Sequence, residues 1–207
     1  MIHPQISHVF YINLAKREDR KIHMESQFSA YGITDYERFE AVHREDHGIV
    51  GCGYSHLGVL KLARERGYEN VLIFEDDFRF VVSQEEMAAD LARFFDSPVA
   101  KDFDVCMLAY NLQEAAECPE TPFLTRVLFA QAPSAYLVHA RSYDALIQLY
   151  EWAIPLLDQT GQHWNYANDV VWRGLQKKDK WFCFTNRLGK QLDGYSDNTK
   201  RIERYDC

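Results

Sequence analysis

Residues 71–77 read VLIFEDD, an apolar run that leads directly into three consecutive carboxylates. A short apolar run that ends at a polar break is typical of a strand buried in a parallel sheet. In open α/β sheets, ligands bind beyond the carboxyl ends of the strands, where Glu75, Asp76 and Asp77 would lie. Each pair of carboxylates about 6 Å apart repels by roughly 3 kcal/mol at an effective dielectric of about 20. Because a divalent cation removes this cost, the run predicts a metal–phosphate site with Mg²⁺ or Mn²⁺; a solvated acidic turn is the alternative.

The composition predicts one folded domain. The 207 residues are 47% hydrophobic and 14% aromatic, which is sufficient for a substantial core. The formal net charge is −8, and no Lys/Arg cluster indicates a nucleic-acid partner. No apolar run approaches 18 residues, so we expect no transmembrane segment. The five cysteines form no C-x-x-C pair and no signal peptide is visible, which predicts reduced thiols and a cytoplasmic location. The charged C-terminal stretch leaves open further domains of a longer chain.

Strand and helix signals alternate along the chain and predict an α/β fold with a mixed sheet flanked by helices. Strands are expected at residues 9–12, 36–42, 71–74, 103–108, 126–130, 134–139 and 181–184, and helices at 15–31, 56–66, 143–154 and 170–177. Two glycines predict a loop at 51–55, with Ser55 capping the next helix. A proline-containing loop is expected at 111–122, and Pro133 is expected to interrupt the strands around it.

The first strand runs into residues 13–20, which read NLAKREDR. A strand that leads into a helix N-terminus is a natural phosphate site. Arg17 and Arg20 can reach a diphosphate or a pyrimidine edge, and Asn13 offers an amide for reading a base. The alternative is a solvated first helical turn in which the neighbouring acids balance the arginines.

Two other side chains are candidates by residue type and position. Asp169 lies at a predicted helix start, where it can be a cap or the base that activates an acceptor hydroxyl. The aromatic and polar residues 163–166 before it are typical of a wall that stacks on sugars. His56 is either a satisfied structural histidine or part of the donor site.

Several enzyme classes lack their signature motifs in this sequence. It contains no P-loop, no H-E-x-x-H and no G-x-S-x-G, which argues against kinases, metalloproteases and α/β-hydrolases. The pair Gly51 and Gly53 does not have the spacing of a dinucleotide-binding loop, since the next glycine is Gly58.

Five segments in order resemble motifs of the family 25 glycosyltransferases, the lipooligosaccharide and collagen galactosyltransferases; the amino-terminal domain of a multidomain chlorella-virus glycosyltransferase is a related resemblance. They are residues 11–20 (YINLAKREDR), 51–57 (GCGYSHL), 71–77 (VLIFEDD), 134–138 (SAYLV) and 191–197 (QLDGYSD). The resemblance implies a GT-A fold, with a Rossmann-like nucleotide half at about residues 1–110 and an acceptor half at about 111–207. It also implies a UDP-sugar donor, a glycan acceptor, Mn²⁺ or Mg²⁺, and inversion at the anomeric carbon.

The same resemblance implies roles for the acidic run. Asp77 would be the first metal ligand, Glu75 would face the ribose or base and share the metal, and Asp76 would contact the donor sugar during catalysis. Because inversion needs one base on the acceptor hydroxyl, Asp169 is the candidate. The nucleotide side would be completed by Asn13, Arg17, Arg20, His56 and Gln191.

The sequence departs from the GT-A pattern at the late histidine that many such enzymes supply to the metal. No histidine follows His163. Gln191, Asp193, Asp197 or water would take its place.

Two other functions stay open from the residues alone. A nucleotidyltransferase also uses acids and Mg²⁺, but it releases pyrophosphate from a nucleoside triphosphate rather than a nucleoside diphosphate from a nucleotide sugar. A carbohydrate-binding module would bind glycan without a nucleotide and would turn nothing over.

Overall fold

The structure is a computed structural model that describes residues 2–196 and 200–204. The strands are β1 (His8–Asn13), β2 (Glu37–Glu40), β3 (Asn70–Glu75), β4 (Phe78–Phe80), β5 (Val105–Glu117), β6 (Leu124–His139), β7 (Trp181–Phe184), β8 (Gly189–Gln191), β9 (Gly194–Ser196) and β10 (Arg201–Glu203). The helices are α1 (Glu18–Ala30), α2 (Gly48–Glu65), α3 (Gln84–Asp96), α4 (Tyr143–Thr160), α5 (His163–Tyr166), α6 (Asn168–Val171) and α7 (Arg173–Lys178), with 3₁₀ turns at Pro98–Lys101 and Ala140–Ser142.

A six-stranded mixed sheet forms the centre, in the order β2-β1-β3-β6-β5-β7. Strand β1 is parallel to β2 and β3, and β5 is parallel to β7, whereas β6 is antiparallel to its neighbours. Two small antiparallel pairs, β4 with β8 and β9 with β10, lie outside it. The alternating order of strands and helices thus gives the mixed α/β architecture that the sequence predicts.

Strand β3 is apolar throughout because both faces of the sheet are covered. Val71 and Ile73 belong to a core that includes residues of α2 and α4. Leu72 and Phe74 point the other way, into a core that includes residues of α1 and α3. All four side chains are fully buried, and each such burial contributes about 1.5–3 kcal/mol of transfer free energy. The apolar half of the 71–77 run therefore forms a central strand, as predicted.

The register of the sheet brings the site segments together. Ile12 of β1 pairs with Glu75 of β3, so the residues that follow these two parallel strands emerge side by side. After the acidic turn, β4 pairs with β8, which places Phe78 opposite Gln191. A Cβ on Gly189 would lie 2.0 Å from the Phe78 ring, so only glycine permits this approach. The C-terminal segment is thereby held against the acidic turn.

The predicted loop at residues 51–55 is wrong, since these residues lie inside α2. The glycines serve close packing instead of a turn: a Cβ on Gly51 would lie 2.3 Å from the Val42 carbonyl oxygen, and one on Gly58 would lie 2.5 Å from a ring carbon of Phe39. Ser55 is not a cap. Its buried hydroxyl donates to the Gly51 carbonyl at 2.7 Å and accepts from the Val42 amide at 2.8 Å.

The predicted loop at residues 111–122 is also wrong in its first half. Strand β5 continues to Glu117 and pairs with a single long β6 that passes through Pro133. The proline is accommodated by a register shift, and Ala132 beside it has a φ of 51°. Residues 111–117 of β5 are largely exposed, with polar side chains at positions 111, 113, 114 and 117, and this composition hides the strand signal.

Helix α4 was expected to end before Pro155. It continues to Thr160 instead, and Gly161 follows it with a φ of 69°. Glu151 and Pro155 are both exposed, so the carbonyl that the proline leaves without a donor can be hydrated. Ser142 makes no capping hydrogen bond with its side chain. Within residues 2–196 and 200–204, no helix is sufficiently long and apolar to cross a bilayer.

Candidate active site

A cavity of about 310 Å³ opens at the carboxyl ends of β1 and β3. Its walls come from the β1–α1 turn, the segment before α2, α2 itself, the acidic turn and the C-terminal segment. The predicted site residues that line it are Arg20, His56, Glu75, Asp76, Asp77 and Gln191. Residues that are far apart in sequence therefore meet at the edge where the strand pattern places a ligand.

Arg20 bridges two of the three acids. Its Nη1 lies 2.7 Å from Asp76 Oδ1 and 3.0 Å from Asp77 Oδ2, and its Nη2 donates to the Tyr195 carbonyl at 3.0 Å. Asn13 does not line the cavity but lies beside Asp76, with Nδ2 donating to Asp76 Oδ2 at 2.8 Å. Both oxygens of Asp76 thus accept hydrogen bonds from protein side chains, although burial still raises the pKa of this carboxyl.

Asp77 is the acid with an unsatisfied oxygen. Its Oδ2 accepts from Gln191 Nε2 at 3.0 Å as well as from Arg20, while its Oδ1 is buried and has no hydrogen-bond partner. Burial, and then the charge of Glu75, raise the pKa of Asp77 to about 7. A buried carboxylate oxygen without a hydrogen-bond donor destabilises the fold. Carboxylate oxygens bind hard cations such as Mg²⁺, which would remove this cost. Asp77 Oδ1 is therefore the atom of the acidic turn that would bind a Mg²⁺ or Mn²⁺ ion.

The Glu75 carboxylate contacts α2. Its Oε1 lies 3.0 Å from His56 Nε2, and His56 Nδ1 lies 2.7 Å from the Tyr136 hydroxyl on β6. His56 and Tyr136 are fully buried. The Cys52 thiol is close by, and burial followed by the charge of Glu75 raises its pKa well above its usual value.

The three consecutive acids do not converge on one point. In the described part of the chain, the group of three metal-ligating side chains whose ligand atoms lie together is Cys52, His56 and Glu75, all within 4.8 Å of one another. A Mg²⁺ or Mn²⁺ ion held through Asp77 would therefore need ligands beyond the acidic turn. Such ions are usually bound by one or two carboxylates, with waters and substrate phosphates completing the shell.

Asp169 lies outside the cavity lining, near Glu75 and Cys52. Its Oδ2 accepts from the backbone amide of Ala132, the residue with the positive φ in β6. Burial raises the pKa of the Asp169 carboxyl. The carboxylate thus fixes an irregular turn of β6, and its role as a base stays a prediction.

Arg17 also lies outside the lining, and a neighbouring acid occupies most of its guanidinium. Its Nε and Nη2 donate to the two oxygens of Asp19 at 2.9 and 2.8 Å, and Nη1 donates to the Tyr195 carbonyl at 3.3 Å. This arrangement matches the alternative in which the first helical turn is balanced by its own acids. Of the proposed substitutes for a late histidine, Gln191 contacts Asp77, and Asp197 lies outside the described residues.

The cavity contains residues that sequence reasoning missed. The basic residues Lys16, Arg44 and Lys200 line it. Lys16 belongs to the 11–20 segment but was not singled out there, and Arg44 and Lys200 lie in segments with no motif. Cys52 lines it too, and it was predicted only as a reduced thiol. Its spacing of four from His56 carries the signal on a helix, but the assumed loop concealed it.

No protein-family model matches the sequence. A curated relative, described as the putative glycosyltransferase R655 of Acanthamoeba polyphaga mimivirus, is 32% identical over a segment that covers 35% of this chain. That segment is 29% of the relative, so the match spans less than a third of the relative's length.

A solved structure resembles the whole fold. The crystal structure of a glycosyltransferase involved in the glycosylation of the major capsid of PBCV-1 superposes with a TM-score of 0.54 at 12% identity. The match covers 93% of this chain and 95% of that one. The predicted fold class and the resemblance to glycosyltransferases are thus confirmed, and the narrower family 25 assignment stays a prediction: this chain has a GT-A-type fold similar to that of a viral glycosyltransferase.

Proposed function

We propose that this chain is a metal-dependent glycosyltransferase that moves a hexose from a UDP-sugar to a hydroxyl of a glycan or glycoprotein, with inversion. The observation that carries the proposal is the buried, unpartnered Oδ1 of Asp77 beside a cavity at the carboxyl ends of β1 and β3. A cation would give that oxygen the partner it lacks. The carboxyl edge of an open α/β sheet is also where nucleotides bind.

The charge balance of the cavity supports a diphosphate bound through a cation. The acidic turn carries three carboxylates and Arg20 contacts two of them, so a diphosphate alone would be repelled there. Basic side chains also line the cavity, at Lys16, Arg44 and Lys200. The cavity volume of about 310 Å³ lies at the small end of the range of about 300–1,000 Å³ for small-molecule sites.

Asp77 and Glu75 are the residues that would hold Mn²⁺ or Mg²⁺. When bound, such a cation neutralises the diphosphate and makes it a better leaving group. Gln191 fixes the Asp77 carboxylate through its hydrogen bond to Oδ2, which leaves Oδ1 as the ligand atom.

Arg20 and Asn13 would position the donor side of the reaction. They hold Asp76 at both oxygens, so its carboxylate keeps one orientation where it would meet the donor sugar. Arg20 also joins α1 to the C-terminal segment through the Tyr195 carbonyl. Arg17, whose guanidinium is engaged by Asp19, would act on the nucleotide only after releasing that partner.

We assign the acceptor base to Asp169. Its Oδ2 accepts from the Ala132 amide, and the backbone amides of Asp169 and Val170 also donate to this carboxylate, which would take the proton of the acceptor hydroxyl. A pKa raised by burial brings a carboxylate closer to the range that suits a base near neutral pH. Trp164, which is 63% exposed, precedes it in the predicted sugar-stacking wall.

The division into a donor half at about residues 1–110 and an acceptor half at about 111–207 belongs to the same proposal. Residue 110 lies within β5, and β6 occupies the middle of the sheet. The two halves would therefore share one sheet.

The test is to incubate the chain with a panel of nucleotide sugars, Mn²⁺ and candidate glycan acceptors, and to identify the products by mass spectrometry. Release of a nucleoside diphosphate with a glycosylated acceptor, abolished by EDTA, is the expected result. Pyrophosphate release from a nucleoside triphosphate plus a sugar phosphate would instead establish the nucleotidyltransferase. Glycan binding without any turnover would establish the binding module.

A further inference from the structure

Three side chains with soft and borderline ligand atoms meet at one wall of the cavity. Cys52 and His56 lie one helical turn apart on α2, so their side chains project from the same face. Glu75 at the end of β3 points at them, and the thiol, imidazole and carboxylate ligand atoms all lie within 4.8 Å of one another. All three residues line the cavity, so a fourth position would be open to it.

Two of these ligands are already oriented by neighbouring side chains. His56 Nδ1 lies 2.7 Å from the Tyr136 hydroxyl, which leaves Nε2 directed at the cluster. Asn168 Nδ2 lies 3.9 Å from Cys52 Sγ. Tyr136 is fully buried and Asn168 is 9% exposed. Metal-binding histidines almost always have their second ring nitrogen fixed by such a partner, because it sets the tautomer and the ring orientation.

The electrostatic environment of the cluster favours a cation. Glu75, Asp76, Asp77 and Asp169 all act on Cys52 with negative charge. The guanidinium of Arg20 donates to Asp76 and Asp77, whereas the Glu75 carboxylate contacts the His56 ring.

We propose that Cys52, His56 and Glu75 bind a divalent cation of the zinc class, at a position distinct from that of the donor cation at Asp77, with which it shares Glu75. Sulfur, imidazole nitrogen and one carboxylate oxygen are the ligand set of Zn²⁺, whereas Mg²⁺ and Mn²⁺ prefer oxygen ligands. Zinc bond lengths of about 2.0–2.3 Å place tetrahedral ligand atoms about 3.3–3.7 Å apart. The observed cluster reaches that geometry by small side-chain rotations, with the Glu75–His56 hydrogen bond replaced by two metal bonds.

Occupation of this site would affect the donor site because Glu75 belongs to both. A zinc-class ion would hold Glu75 against α2 and withdraw it from the cation at Asp77. This consequence, an inhibition of the transferase by zinc, rests on the proposed function, whereas the binding itself does not.

The experiment is a titration of chelator-treated, reduced protein with Co²⁺, followed by absorption spectroscopy. Tetrahedral Co²⁺ with a thiolate ligand gives a sulfur-to-cobalt charge-transfer band and intense visible bands. We expect these bands to saturate at one equivalent and to disappear when Zn²⁺ is added. Absence of the charge-transfer band in the wild-type protein would overturn the proposal.

Variants separate this site from its surroundings. Cys52→Ser should abolish the charge-transfer band, Cys118→Ser should retain it, and Tyr136→Phe should retain it while weakening Co²⁺ binding about tenfold. Circular dichroism establishes that each variant is folded. A band that persists in Cys52→Ser would assign it to another thiol and refute the site.

Asp77→Asn distinguishes this proposal from the proposed function. It should retain the Co²⁺–thiolate band with unchanged affinity, because Asp77 is not a ligand of this cluster. A normal band in a protein that fails to bind any nucleotide would support this site and refute only the transferase. Loss of the band in folded Asp77→Asn protein would contradict a separate site.

Discussion

Arg20 Nη1 lies 3.0 Å from Asp77 Oδ2, so a guanidinium from α1 partly neutralises the acid that is proposed to hold the donor cation. The same nitrogen contacts Asp76 at 2.7 Å. Side chains of all three residues are at most 16% exposed. One partly buried arginine thus bridges two adjacent carboxylates.

Arg20→Gln is expected to destabilise the fold by about 3 kcal/mol, because removing one partner leaves buried charge without compensation. Urea unfolding in EDTA measures this change, and Mn²⁺ should restore part of it by replacing the lost positive charge. Arg64→Gln is the matched control: its pair with Asp144 is exposed and should contribute no more than about 1 kcal/mol. Equal effects of the two variants would contradict the bridging role of Arg20.

Asp77→Asn is expected to change the pH dependence of stability in EDTA. The pKa of Asp77 is raised from its usual 3.8 to about 7, so the folded state binds a proton more tightly than the unfolded state. The free energy of unfolding contributed by this group is therefore highest below about pH 4 and falls as the pH rises through 7. The variant lacks this loss, so the difference in free energy of unfolding, variant minus wild type, should be larger at pH 8 than at pH 5.

The measurement is the melting temperature of both proteins in EDTA across this pH range. Asp144→Asn, an exposed acid on α4, serves as the control and should follow wild type. Parallel curves for wild type and Asp77→Asn would show that Asp77 ionises as easily in the fold as in the unfolded chain.

Gly189→Ala is expected to weaken both the fold and the metal site. The added Cβ would lie 2.0 Å from the Phe78 ring, and the shift of β8 away from β4 would carry Gln191 from Asp77. Such overpacking costs about 1–3 kcal/mol, measured by urea unfolding. Gly194→Ala is the control, since its Cβ meets no atom within 4 Å. A Gly189→Ala protein as stable as Gly194→Ala would disprove the close approach of the two strands.

Asp169→Asn is expected to lower kcat by about 10²- to 10⁴-fold while leaving donor affinity near that of wild type. Asparagine keeps an oxygen for the Ala132 amide, so the irregular turn in β6 survives while the proton acceptor is lost. Steady-state kinetics with varied acceptor, together with calorimetric donor binding, separates the two effects. Near-normal turnover would assign the base to another group.

Much of the fold could be predicted from sequence where one periodicity dominates. The four consecutive residues Val71 to Phe74 are all apolar, so both faces of the strand must be covered. The acids that follow them mark the edge of the sheet where a ligand would bind. Helix α2 could not be delimited, because Gly51 and Gly58 meet Val42 and Phe39, which are close only in the folded chain. A glycine in the sequence indicates a turn, but the close packing that requires glycine at these two positions cannot be predicted from neighbouring residues.

The sequence predicts where the three acids of the candidate site lie but not which side chains they contact. Glu75, Asp76 and Asp77 lie at the cavity as expected, but Glu75 joins His56 and Tyr136, and the other two join Arg20. Such partners come from separate elements, and their choice depends on the register of β1, β3 and β6.

The most direct test of the central claim is the thermal stability of wild type and Asp77→Asn with UDP, in Mn²⁺ and in EDTA. At 100 times its Kd, a ligand stabilises by about 2.7 kcal/mol, which corresponds to a rise of about 5–10 °C for a chain of this size. We expect this rise for wild type with UDP and Mn²⁺ together, and its loss in EDTA and in Asp77→Asn. No rise for wild type with UDP and Mn²⁺, or the same rise in EDTA, would contradict a metal-bridged site for UDP.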